Sequence, residues 1–206
     1  MKSRISIFII LFFSAIAAQA QLKGETKFNI RYNVGLPTGS FKEELSENSF
    51  RGLNGSILYG LSDQLSIGFA TGFQDFYQKT PRQLYKLEDG SDISAVRTYS
   101  IQSIPLMLQT KYQFSQGKAI QPYVALAAGG NIISYADLLG EFVNEQDAKF
   151  GFVARPEAGV LIPFGKAKAS GITLGASYNI MPFKTGSFSN MNHIGVHAGV
   201  SIPMRK

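Results

Sequence analysis

Apolar and polar side chains alternate along most of this chain, and helical spacing is nowhere sustained. In residues 26–34, every second residue from Phe28 to Val34 is apolar, and the residues between them are Asn or Arg. Such a period of two is typical of a β-strand with two different faces. Eight runs of this kind predict eight strands, at approximately 26–34, 50–61, 65–73, 96–114, 120–129, 150–163, 172–179 and 193–202.

The seven connections between these runs alternate strictly between long and short. The long ones are 35–49, 75–94, 131–149 and 181–190, and the short ones are 62–64, 115–118 and a turn around Gly165. Tight turns at one end and large loops at the other are typical of membrane barrels whose ends face different compartments. The sequence therefore predicts an all-β fold, an eight-stranded antiparallel up-and-down transmembrane β-barrel, in one domain over residues 21–206.

Composition of the strand faces distinguishes a membrane barrel from a soluble one. A soluble barrel of the lipocalin kind would line its cavity with the apolar face and present Lys, Glu, Asp and Arg to water. Here the polar face is mostly Gly, Ser, Ala, Asn and Gln, which suits a narrow lumen, and the aliphatic face suits lipid. We expect interfacial belts from the aromatic residues near strand ends, namely Tyr32, Tyr59, Tyr112, Phe114, Tyr123 and Tyr178. Pro105, inside the fourth strand, should mark a bulge or an unpaired position.

The first 20 residues have the pattern of a cleavable signal peptide. Lys2 and Arg4 precede an apolar run over residues 5–16, and Ala18-Gln19-Ala20 forms a small-x-small cleavage site. We expect cleavage after Ala20. A membrane anchor is the alternative, but the run is shorter than the roughly 20 residues that a spanning helix needs.

Charge and cysteine content limit the possible partners. Charged residues make up 17% of the chain, and Cys is absent, so no disulfide stabilises the exported domain. The formal charge of +6 falls to +4 once Lys2 and Arg4 are removed, and no basic run stands out. This pattern is compatible with contact to anionic lipopolysaccharide and gives no support for nucleic acid.

Three segments carry a resemblance to a known family. Ser103-Ile104-Pro105-Leu106, Lys111-Tyr112-Gln113-Phe114 and Gln121-Pro122-Tyr123-Val124 are similar to the small outer-membrane β-barrel family common in Bacteroidetes-type Gram-negative bacteria. The resemblance implies an eight-stranded barrel with periplasmic termini, related in shape to the membrane barrels of outer-membrane proteins A and X. The ending Ile202-Pro203-Met204-Arg205-Lys206 lacks the terminal aromatic that many such proteins present to the barrel assembly machinery.

Six residues are candidates for a polar network inside the lumen: Arg31, Lys111, Arg155, Glu157, His193 and His197. Charges inside a narrow barrel must be paired or hydrated, so we expect a structural network that fills the pore. A small gated ion path is the alternative. We predict no catalytic, cofactor or metal site, because Ser201 is too far along an extended strand to pair with His197, and the two histidines lack a clear third ligand.

The sequence therefore predicts an integral protein of the outer membrane with a structural or adhesive role carried by four long extracellular loops. A minor pore or an accessory subunit in transport is the alternative function, and a lipid-modifying enzyme is a third. The expected partners are outer-membrane lipid and lipopolysaccharide, the barrel assembly machinery and an unidentified protein outside the membrane or in the periplasm.

Overall fold

The computed structural model of the protein describes residues 24–86, 90–164, 170–185 and 188–204. The predicted signal peptide and the turn around Gly165 lie outside these residues. The described strands and the one short helix are β1 Thr26–Pro37, α1 Ser40–Glu44, β2 Ser49–Gly60, β3 Leu65–Lys86, β4 Asp92–Gln113, β5 Gln121–Leu139, β6 Phe142–Phe164, β7 Ser170–Asn179, β8 Pro182–Thr185, β9 Phe188–Asn190 and β10 His193–Met204.

Eight of these strands form a closed antiparallel barrel in the order β1-β10-β7-β6-β5-β4-β3-β2. Closure occurs between the first and last strands, which pair from Thr26–Met204 to Pro37–His193. The strands β8 and β9 form a separate hairpin in the connection between β7 and β10. The predicted eight-stranded up-and-down barrel is thus confirmed. Within the described ranges, no helix has the length and apolar character required to cross a membrane.

The wall of the barrel is apolar outside and polar inside. On β1, Phe28 and Ile30 are exposed, whereas Asn29, Arg31 and Asn33 are buried. The same alternation recurs on β4, where Leu106 and Leu108 face outward and Gln109 is buried. A band of outward aliphatic and aromatic side chains is what a bilayer requires of a strand that crosses it.

Pro105 interrupts the pairing of β4 with β3, as its sequence position predicts. The β3–β4 ladder runs from Leu65–Tyr112 to Thr71–Leu106 and resumes at Gln74–Ser103. Proline has no backbone N–H to donate, so one cross-strand bond is missing at this point. The hydroxyl of Thr71 on β3 donates to the Pro105 carbonyl at 2.9 Å, so the two strands remain linked here.

The prediction of long loops is wrong for two of the four connections. Most of 75–94 and 131–149 belongs to strands, because β3, β4, β5 and β6 contain 22, 22, 19 and 23 residues. A tilted strand needs only about 9–11 residues to cross a bilayer. The excess projects from the end opposite the chain termini as a four-stranded sheet of residues 76–86, 92–102, 133–139 and 142–149, which we call the raised sheet.

The pattern of alternation reverses where the raised sheet begins, and this explains the wrong prediction. On β4 in the wall, Leu108 faces outward and Gln109 inward, but higher up Gln102 faces outward and Ile101 is fully buried. Water surrounds this part of the protein, so its outer face is polar and its inner face packs a core. The reversal removes the continuous apolar stripe by which a membrane strand is identified in a sequence.

A hydrophobic core fills the upper end of the barrel, inside the raised sheet. Phe41 of α1 packs edge-on against Phe76 of β3, with ring centroids 5.0 Å apart. We call this core the apolar cap; its buried members include Phe41, Leu45, Phe76, Ile101, Ile133, Tyr135, Val153, Met181, Phe183 and Met191. The connections after β1 and β7 therefore fold over the lumen.

Gly199 allows the closing strands to approach each other at the point where Arg31 enters the lumen. Gly199 pairs with Arg31 across the β1–β10 seam, and a Cβ atom at this position would lie 2.1 Å from the Ile30 carbonyl oxygen. At Gly55, by contrast, the nearest atom to an added Cβ would be 3.8 Å away. Of these two positions, 199 lacks room for a side chain and 55 does not.

We predict that Gly199→Ala lowers the free energy of unfolding by about 2 kcal/mol, because the added methyl group separates the closing strands. The measurement is urea unfolding in detergent micelles or vesicles. Gly55→Ala is the matched control, and we expect it to stay within about 0.5 kcal/mol of wild type. Equal stability of the two variants would contradict the close packing at this seam.

Candidate functional site

Four of the six predicted lumen residues meet in one buried cluster. Arg31 of β1 donates a short hydrogen bond to Glu157 of β6, and both side chains are almost completely buried. The Arg31 Nη1 atom also lies 3.3 Å from Nε2 of His197 on β10, and Arg155 Nε lies 4.0 Å from the second Glu157 carboxylate oxygen. These contacts join opposite sides of the barrel across the lumen.

Tyr123 of β5 is the fifth member of this cluster. Its hydroxyl donates to Glu157 at 3.0 Å and lies 3.3 Å from His197 Nε2. The prediction that Tyr123 belongs to an interfacial belt is therefore wrong, since its side chain is buried in the lumen. The alternation along β5 indicates the correct position: Pro122 and Val124 face outward, so Tyr123 between them faces the lumen.

The tautomer of His197 follows from its neighbours. A guanidinium group only donates hydrogen bonds, so the His197 Nε2 atom accepts from Arg31 and the proton of the neutral ring is on Nδ1. Glu157 then accepts from Arg31 and Tyr123 and is the one carboxylate among the cluster residues.

Lys111 is placed at the side of the cluster nearer the chain termini. Its Nζ atom lies 3.9 Å from the centroid of the Tyr123 ring, a cation–π contact. Lys111 also lines a cavity of about 30 Å³ at that end, together with Lys27, Glu25 and Asp63. It therefore joins the network through an aromatic ring rather than through the carboxylate.

His193 lies apart from the other predicted network residues. Its Nδ1 atom is 3.0 Å from the Met191 carbonyl oxygen, and its ring packs against Phe76 with centroids 4.9 Å apart. It belongs to the boundary between the lumen and the apolar cap. The connection after β7 determines this contact, and no strand pattern could have indicated it.

A second polar cluster lies outside the membrane, within the raised sheet. Arg97 of β4 makes a bidentate ion pair with Asp137 of β5, with N–O distances of 3.0 and 2.8 Å. Asn144 of β6 donates to the same carboxylate at 2.8 Å, and the Arg97 guanidinium lies 4.5 Å from the Tyr99 ring centroid. The hydrogen bond to Asp137 raises the pKa of Arg97 above its ordinary value. Arg97, Asp137 and Asn144 together link β4, β5 and β6, three of the four strands of the raised sheet.

Neither histidine is in an arrangement typical of hydrolysis or metal binding. The polar contacts of His197 are Arg31, Tyr123 and Glu157, rather than a serine nucleophile. Among the residues that the structure describes, no group of three or more His, Cys, Asp or Glu side chains is arranged to hold a metal ion.

The geometry of the barrel defines the class of protein. An outward apolar belt, a closed strand ladder, a polar buried interior and loops of unequal size at the two ends are the properties of an outer-membrane β-barrel. Tight turns face the periplasm in such barrels, so the raised sheet lies outside the cell.

Comparison with known families agrees with this class. The family described as "Outer membrane protein beta-barrel domain" matches residues 8–202, and the chain belongs to this family. The protein is located in the cell outer membrane. Among curated proteins, none matches the chain.

Solved structures share the fold at low sequence identity. The N-terminal β-barrel domain of Pseudomonas aeruginosa OprF is 13% identical, with 89% of this chain and 100% of that chain covered and a TM-score of 0.53. Neisserial surface protein A is 14% identical, with 86% and 95% covered and a TM-score of 0.52. OprG from P. aeruginosa is 11% identical, with 91% and 99% covered and a TM-score of 0.53.

We predict that Glu157→Gln lowers the free energy of unfolding by about 3–5 kcal/mol, because it removes the buried carboxylate shared by two guanidinium groups. Urea unfolding in detergent micelles measures the change. Asp147→Asn is the control, since it breaks an exposed ion pair with Lys149 and should leave stability unchanged within error. A Glu157→Gln variant as stable as this control would contradict the importance of the buried pair.

Proposed function

We propose that this protein is a non-enzymatic surface-interaction protein in which the barrel is a rigid mount and the raised sheet is the binding element. One observation carries the proposal: the raised sheet has an unpaired edge along β6. Strand β7 pairs with β6 only from Glu157 to Phe164, and an isolated bridge joins Ala154 to Ile180. Residues 142–149 of β6 pair with β5 alone among the described residues.

The opposite edge of the raised sheet is protected against strand addition. Residues 76–86 of β3 pair with β4 alone, but they contain Pro81 and a break in register between Thr80 and Gln83. Lys79 and Arg82 flank the proline. Proline, bulges and lysine are devices by which sheet edges avoid pairing with other chains.

The β6 edge contains no proline between residues 142 and 149, and its one lysine, Lys149, is ion-paired with Asp147. Its pairing with β5 is regular from Asn131–Gly151 to Asp137–Glu145, and the register shifts only near the hairpin tip. Phe142 and Val143 on this strand are highly exposed; Phe142 has 70% of its surface accessible. A regular edge flanked by exposed apolar side chains is suited to adding an extended segment of another protein.

The bracing of the raised sheet supports the same function. The ion pair of Arg97 with Asp137 and the contact of Asn144 hold β4, β5 and β6 together, and the Tyr99 and Tyr135 rings stack with centroids 6.2 Å apart. A preordered edge loses little conformational entropy when a partner binds. The lumen, by contrast, contains the buried cluster below the apolar cap, so the described residues favour binding over the alternative of a minor pore.

The backbone N–H of Ala148 points away from β5, toward the free edge of the sheet. This N–H donates to the Asp147 carboxylate at 2.8 Å rather than to the neighbouring strand. The N–H of Ala148 is therefore available to an incoming strand that displaces Asp147. In an antiparallel ladder, the residues two positions away on the same strand present their backbone groups in the same direction.

We predict that Ala148→Pro reduces binding of extended peptides at least about tenfold, because it removes an edge donor without removing a bond to β5. The measurement is binding of the full chain in lipid nanodiscs to an array of extended ten-residue peptides that alternate apolar and basic residues. Ala148→Val is the matched control, since it retains the N–H and should bind as wild type. Equal binding by the proline variant, or no peptide binding by wild type, would contradict the proposal.

A further inference from the structure

Positive charge exceeds negative charge in the buried cluster inside the lumen. Arg31 and Arg155 are both buried, and Glu157 is the carboxylate that faces them. Glu157 forms its short hydrogen bond with Arg31, whereas its distance to Arg155 is 4.0 Å. A buried charge without a close counter-ion strongly destabilises a folded protein. One guanidinium therefore lacks a matching negative charge.

Arg155 is the less closely paired of the two guanidinium groups, since its ion pair with Glu157 is long, at 4.0 Å. Its Nη1 atom makes a long contact of 3.4 Å with Asn54 Oδ1. Its Nε and Nη2 atoms are buried and have no hydrogen-bond acceptor among the residues that the structure describes. Guanidinium N–H groups that are buried and unpaired cost several times more than neutral ones, so an acceptor at this point would stabilise the fold.

A small cavity adjoins this guanidinium. It has a volume of about 10 Å³ and lies between the buried cluster and the apolar cap, bounded by Asn33, Asn54, Gln74, Ser103, Arg155 and His193 among others. Such a volume accommodates a single water-sized species. The cavity is thus too small for an organic anion, and a monatomic ion larger than water enters only if the bordering side chains move.

We propose that this cavity is a binding site for a monovalent inorganic anion of the size of chloride, held by Arg155. One such ion supplies the single negative charge that two guanidinium groups and one carboxylate leave unbalanced. The side-chain amides of Asn33 and Gln74 border the site, and their ends can rotate to admit an ion slightly larger than water.

The first test compares chloride with gluconate at constant ionic strength. Wild-type protein in detergent micelles should gain about 5 °C in its unfolding midpoint, saturably, as chloride replaces gluconate, because a ligand that binds only the folded state stabilises it. Unfolding is followed by the heat-dependent shift in gel mobility. An identical midpoint in the two salts would overturn the proposal.

Substitutions of Arg155 and Glu157 should change the chloride-dependent shift of the unfolding midpoint in opposite directions. Arg155→Gln removes the excess charge, so its midpoint should not respond to chloride and should exceed that of wild type in gluconate. Glu157→Gln leaves two unbalanced guanidinium groups, so its response should be larger than that of wild type. Arg51→Gln, which breaks an ion pair with Asp75 outside the lumen, is the control and should respond as wild type. A chloride response that Arg155→Gln retains would overturn the proposal.

Crystals of the wild-type protein grown in bromide provide a direct test that no folding defect affects. The proposal predicts an anomalous peak within about 3.5 Å of the Arg155 Nε or Nη2 atom, the distance of an N–H group from a bound halide. Electron density in the cavity without an anomalous signal would identify a water molecule and overturn the proposal.

Discussion

Hydrogen bonding of the backbone in hydrocarbon is the constraint on which the rest of this structure depends. Lipid offers no partner for an N–H or C=O group, so a strand crosses a membrane only within a closed ladder. Here the ladder closes between β1 and β10 over twelve residue pairs, from Thr26–Met204 to Pro37–His193. Closure requires the seam to be narrow, which is why glycine occupies position 199. At Pro105, where the ladder is interrupted, the hydroxyl of Thr71 still donates a cross-strand hydrogen bond to the Pro105 carbonyl.

The closed wall in turn determines what the lumen contains. Eight strands enclose a space that side chains can fill, and the inward positions are too crowded for a wide channel. Polar residues turned away from lipid must then find partners inside, which explains the contacts of Arg31, Glu157, Tyr123 and His197. Above them the apolar cap replaces polar contacts with hydrophobic packing, since the surrounding solvent there is water. The same chain thus has an apolar exterior in the membrane and an apolar interior outside it.

Sequence pattern predicts the part of the fold that lipid surrounds and fails where water begins. The eight membrane strands and their outward faces follow from alternation alone, as at Phe28 and Ile30. The raised sheet does not, because its alternation is reversed: Ile101 is buried and Gln102 exposed. Within the lumen, alternation indicates that Arg31 and Glu157 face inward, but their contact depends on the curvature that brings the non-adjacent strands β1 and β6 across the barrel from each other. Tyr123 was misassigned because of its aromatic character, and the contact of His193 with the Met191 carbonyl depends on a connection that no strand pattern describes.

The central claim is that the barrel is a closed and filled mount for a structured extracellular sheet. Conductance of the purified full chain in planar lipid bilayers tests it most directly, because ions cross a filled lumen only if the buried cluster and the apolar cap move aside. The structure predicts no sustained openings across the voltage range that the bilayer tolerates. Long-lived openings of uniform conductance, whose ion selectivity changes in the Arg155→Gln variant, would contradict it.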